Sequence, residues 1–227
     1  MSLVKLIAQA DERGLAASGL ACLDRCLPPG AGEAEPLRPL WAGAAAGADE
    51  WPARLAEARD GLDAVIAAES APEPDPVPAP GGAAGDGSGA GTGVTLALVR
   101  TLLGSAPSRW EAEPLRAWAD TCSVVALEIH QKLDVVGESG SAAAAEWLAR
   151  CREDPAAVAD AVDGAEGGDG VGPLVAGELR RQIRILEILS EPTGAAGAGA
   201  MRRAMDLSTE GQRVLRAVVS RRARARN

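Results

Sequence analysis

Residues 114–136 read PLRAWADTCSVVALEIHQKLDVV. Leu115, Trp118, Cys122, Val125, Ala126, Ile129, Leu133 and Val136 recur there at steps of three and four, and Arg116, Asp120, Glu128, Gln131 and Asp134 fill the remaining face. At about 3.6 residues per turn this spacing places every apolar position on one side of a helix. A helix over 114–136 is therefore predicted. Pro114, which has no N–H to donate, marks either its first turn or a kink, and Ser108 and Glu111 precede it at capping-box spacing.

The same period extends outward in both directions. Residues 2–27 carry Leu3, Ile7, Ala10, Ala16, Leu20, Leu23 and Leu27, with Gly14 where the stripe shifts, and so predict one bent helix or two short ones. Residues 51–69 open on Trp51-Pro52, a proline tolerated in a first turn, and continue with Leu55, Leu62, Val65 and Ile66. Residues 94–103 read as a buried helix, and Ser141 can cap an alanine-rich one bearing Trp147, Leu148 and Cys151. Asp154-Pro155 begins a short helix to Val162. From Pro173 to Ser190, Val175, Leu179, Ile183, Leu186 and Leu189 form a stripe widened by Ile185 and Ile188, a face to be covered within the bundle or at a two-fold interface. The last helix is placed at about 209–224, with Thr209 and Gln212 at capping-box spacing.

Between these helices lie proline and glycine. Residues 71–93, APEPDPVPAPGGAAGDGSGAGTG, read as an extended stretch followed by flexible coil, with weaker breaks at 28–39, 163–172 and 192–200. Nothing has strand period and nothing repeats. The sum is an all-α chain, an irregular helical bundle with a long disordered Pro/Gly-rich loop. Its expected organisation is N-terminal helices over 1–70, a linker over 71–93, the main core over 94–191, a second linker over 192–200, and a basic helix and tail over 201–227.

Composition narrows the chemistry. The chain has 227 residues, of which 47% are hydrophobic, a figure swollen by alanine; Phe and Tyr are absent, so five Trp are the whole aromatic inventory. Aromatic-rich strands and base-stacking platforms are excluded. Lys5 and Lys132 are the only lysines among 23 basic residues, and His130 is the sole histidine. Arginine in place of lysine, with excess Ala, Gly and Pro, is the pattern of high-GC, bacterial-type coding, so the clustering of arginine carries more information than its abundance. No apolar run is long enough to cross a membrane. Asp11, Glu12 and Arg13 break the segment ahead of Cys22 that would otherwise resemble an export signal, which predicts a cytoplasmic protein. Cys22, Cys26, Cys122 and Cys151 are then expected to be reduced, buried thiols.

Each candidate site has a plain reading beside it. The alternating glycines from Gly85 to Gly93 fit neither a Walker A loop nor a dinucleotide fingerprint, because no lysine follows and no strand precedes. His130 stands one turn before Asp134, which reads first as a surface pair and, less simply, as a functional one. The cysteines lack C-x2-C spacing, so no metal is expected, and no cofactor motif is present. Five buried Trp anchors account for the aromatics.

Charge distribution is the one departure from background. The net charge is -9, yet residues 201–227 carry eight arginines against Asp206 and Glu210. The tail is therefore at +6 and the remainder at -15. Arg213, Arg216, Arg221, Arg222, Arg224 and Arg226 are the candidate partner or phosphate contacts. The reading is a non-catalytic, adaptor-like interaction protein that meets a protein partner through an amphipathic helix face, with homodimerisation open. A nucleic-acid-associated protein using the arginine-rich helix, or an enzyme with an inter-helix pocket at His130, stand as alternatives.

Overall fold

The computed structural model describes residues 1–28, 35–70, 88–134, 142–154, 172–191 and 197–226. Those residues form nine helices and no strand, an all-α bundle. In chain order they are α1 (Leu3–Gln9), α2 (Glu12–Cys26), α3 (Arg38–Ala46), α4 (Trp51–Glu69), α5 (Ser88–Gly104), α6 (Ala112–Asp134), α7 (Ala142–Glu153), α8 (Pro173–Leu189) and α9 (Gly197–Arg226).

The first break falls at Ala10-Asp11, where Ala10 is extended and the Asp11 carboxylate accepts from Gly14 N at 2.7 Å. Residues 2–27 are accordingly two helices. Of these, α2 is the centre of the molecule: it packs against α6, α9, α3, α8 and α5, and from Gly14 to Cys26 all its residues but Asp24 are buried. Small side chains make this possible. Ala16, Ala17, Ser18, Gly19 and Ala21 keep α2 thin, so neighbouring helices approach closely, and a Cβ on Gly19 would lie 2.7 Å from the Trp118 ring.

Three of the tryptophans form one cluster. Trp51 meets Trp110 and Trp118 edge-on at centroid distances of 5.2 and 6.1 Å. Two of their polar ends are satisfied within the core, Trp51 Nε1 donating to Pro107 O and Trp118 Nε1 to Leu102 O. Trp41 is buried, and Trp110 and Trp147 are half-buried against the same core. The Arg59 guanidinium donates to Leu103, Gly104 and Ala106 carbonyls, closing the C-terminus of α5 from α4.

Several boundaries differ from those read off the sequence. Residues 38–46, inside and beyond a Pro-rich break, form α3, with Pro39 in its first turn and Gly47 ending it at φ 92. Residues 88–93 are helical rather than coil, and α9 begins at Gly197, well before Thr209. Thr209 is mid-helix and donates to Met205 O, so it caps nothing. The cause is common to all three: Ala/Gly-rich sequence has no apolar contrast for periodicity to report, while packing supplies the stabilisation that propensity lacks. Val135 and Val136, the 155–162 helix and the loop over 71–87 lie outside the described residues.

Candidate functional site

A charge network crosses the core between α2, α6 and α8. Arg25 donates from Nε to Glu178 Oε2 at 2.8 Å and from Nη2 to Glu178 Oε1 at 2.6 Å, a two-pronged pair with both residues 0% exposed. Gln182, one turn along α8, donates to Glu178 Oε1 and to Ser123 O, and accepts from the Ser123 hydroxyl at 2.6 Å. Burial pushes the Glu178 carboxyl up, but the Arg25 guanidinium and His130 outweigh it and hold that group down at about 2. Sequence carried a signal for this network. Glu178 and Gln182 fall on the apolar stripe of α8, and Arg25 stands between Leu23 and Cys26 near the end of α2.

His130 belongs to the network and not to a surface pair. It is 1% exposed, and its Nδ1 stands 2.7 Å from Ala126 O. A carbonyl only accepts, so Nδ1–H donates to it, and Nε2 stands 3.6 Å from Glu178 Oε2. Asp134 serves elsewhere. Its carboxylate accepts from Val175 N at 2.9 Å and caps the start of α8, where the N-cap, Gly172, has no side chain to offer. A Cβ on Gly172 would collide with that carboxylate. The two residues singled out as a pair are thus both used, on different partners.

All four cysteines are free and buried. Burial pushes Cys22 and Cys151 up to about 12, and Cys26 and Cys122 well above the ordinary thiol value. Thiols held in the protonated form are poor nucleophiles and poor metal ligands. No group of three or more metal-ligating side chains occurs among the described residues, and among them no helix is long and apolar enough to cross a membrane.

The last helix has two parts. Its first part docks on α2 and α8 through Met201, Ala204, Ser208, Gly211, Gln212 and Leu215. Ser208 Oγ donates to Asp24 Oδ2 at 2.9 Å, and Gln212 Nε2 to Asp24 O at 3.1 Å. Beyond Leu215 only half-buried or exposed residues follow as far as Arg224, apart from Ala223, whose side chain is not described. Arg213, Arg221 and Arg224 are exposed and share the face that Ala217 and Ser220 occupy; Arg216 is half-buried on its flank, and the half-buried Arg222 lies two turns beyond Leu215, on the side opposite that face. Among the described residues no carboxylate lies within ion-pair distance of these five, whereas Arg203 on the docked part pairs with Glu191 at 2.5 Å. Val214, 37% exposed, and the half-buried Val218 lie beside that face. The helix reaches Arg226, whose side chain is not among those described.

Comparison with protein-family models, with curated proteins and with solved structures gave no match.

Proposed function

We propose that the chain is a non-catalytic, adaptor-like interaction protein whose partner-binding element is the free end of α9, and that its partner is an acidic protein surface with an apolar centre. The observation that carries this reading is the division of α9. One part is anchored by Ser208, Gln212 and Leu215, and from Arg213 to Arg224 the helix presents arginines with no ion-pair partner among the described residues, beside Val214 and Val218. Arginine around a small apolar centre is the composition of protein interfaces, where arginine is enriched and charge is excluded from the middle. A phosphate backbone needs the arginines but has no use for the valines. The -15 remainder of the chain also repels a long polyanion more than it repels a local acidic patch. The buried network supports a non-catalytic reading, because its Arg25–Glu178 charges are spent on each other beneath the surface.

Fluorescence anisotropy tests this on the full chain with two labelled probes, an acidic amphipathic helical peptide and a single-stranded RNA of equal charge. Binding of the peptide is expected, weakened at least tenfold by Arg213→Glu/Arg221→Glu/Arg224→Glu and also by Val214→Asp. Tighter RNA binding that ignores Val214→Asp would transfer the site to nucleic acid, and no binding of either probe would end the proposal.

A further inference from the structure

A small cavity lies in the core where α1, α2, α6 and α8 meet, with a volume of about 10 Å³. Ser18, Cys22 and Arg25 of α2 and Ala119 and Ser123 of α6 line it, with Gln182 and apolar side chains of α1 and α8. Every lining residue is at most 9% exposed, so the space is interior. Its size matches one water, which needs roughly 10–15 Å³ and two to four polar partners.

The polar atoms around it decide what fits. Arg25 uses Nε and Nη2 on Glu178, and Nη2 also reaches Cys22 Sγ at 3.6 Å, but buried Nη1 has no hydrogen-bond partner among the described residues. Leaving a charged donor unpaired in the interior is costly, so that atom calls for an acceptor. The serines present the opposite need. Ser18 Oγ spends its hydrogen on Leu15 O at 3.0 Å and Ser123 Oγ on Gln182 Oε1, which leaves lone pairs on both hydroxyls and no hydrogen. The occupant must therefore accept from a guanidinium and donate to hydroxyl oxygens. An anion such as chloride has no hydrogen to give, and a cation is repelled by Arg25.

We propose that this cavity is a binding site for one ordered water, held by Arg25 Nη1 and by the Ser18 and Ser123 hydroxyl oxygens. Such a water joins α2 to α6 on the side away from Glu178. It completes a hydrogen-bonded circuit already running from Ser123 through Gln182 and Glu178 to Arg25.

The test uses oxygen-17 relaxation dispersion, which counts waters of long residence, together with thermal unfolding of the full chain. Ala119→Val fills the cavity and is expected to lose one long-residence water and several degrees of Tm, because Nη1 is then stranded. The sign is decisive: a Tm that rises with the water count unchanged means the cavity is dry and overturns the proposal. Should Ala119→Val not fold, Ser18→Ala, which deletes one acceptor, is expected to shorten the residence of that water, and an unchanged dispersion profile overturns the proposal equally. A wild-type Tm that climbs with chloride at constant ionic strength would assign the site to an anion instead.

Discussion

Arg25 and Glu178 lie 153 residues apart in sequence and meet with no solvent on either side. Desolvating two charges is expensive, and what makes the pair tolerable is the two-pronged geometry and the Gln182 hydrogen bond. Removing one partner strands the other, so Glu178→Gln is expected to cost about 3–5 kcal/mol in urea unfolding. The pH dependence follows from the same carboxyl. It is held at about 2 against an ordinary value of 4.5, so the folded state binds that proton less readily than the unfolded chain. The resulting stabilisation is complete above about pH 4.5 and is lost as the pH falls toward 2. In Glu178→Gln that portion of the acid-induced loss is expected to vanish from a series of unfolding midpoints. At Gly19 the constraint is steric. Gly19→Ala brings a methyl against the Trp118 ring, whose Nε1 is tied to Leu102 O, and a loss of about 1–3 kcal/mol is expected in the same assay.

At the scale of elements, α9 is held by buried Met201, Ala204 and Leu215, a few polar contacts and one close approach. Gly211 packs on the methylenes of Arg25 and Arg181, and a side chain there would run into the Arg25 stem. Arg25 cannot swing aside without abandoning Glu178. Gly211→Val is therefore expected to lift α9 from α2, read as lost amide-exchange protection over 204–215 while α4 and α6 keep theirs. Unchanged protection would show that α9 docks through its apolar residues alone. Legibility followed contrast. The bounds of α4 stand as the Trp51-Pro52 start implied, and α6 and α8 run where their stripes run. The helix α3 was hidden because RPLWAGAAA has few polar residues to phase against its apolar ones, and the start of α9 because GAGA resembles a linker.

Across the whole molecule the core is assembled around a thin, nearly all-buried helix, and the four thiols sit within that core. With Cys22 and Cys151 pushed up to about 12, and the other two also raised, thiolate is scarce at neutral pH. An aromatic disulfide reagent at pH 8 is expected to modify none of the four in the native protein and all four in denaturant, at a rate set by opening of the bundle. Rapid native reaction at one of them would show that its helix opens locally.

Sequence by itself determined the secondary structure class, the principal apolar stripes and the concentration of arginine at the C-terminal end, because period and charge are local properties of a chain. It could also show that Glu178, Gln182 and His130 stand in mainly apolar helices. Tertiary structure alone decided that Glu178 answers Arg25 while Gln182 and His130 close on Glu178, that Asp134 caps a helix from a distance, and that α9 is docked for part of its length and exposed or half-buried beyond it. Helical phase states which side of a helix is apolar; which helix covers that side, and which polar groups then face one another, depends on packing between segments far apart in sequence.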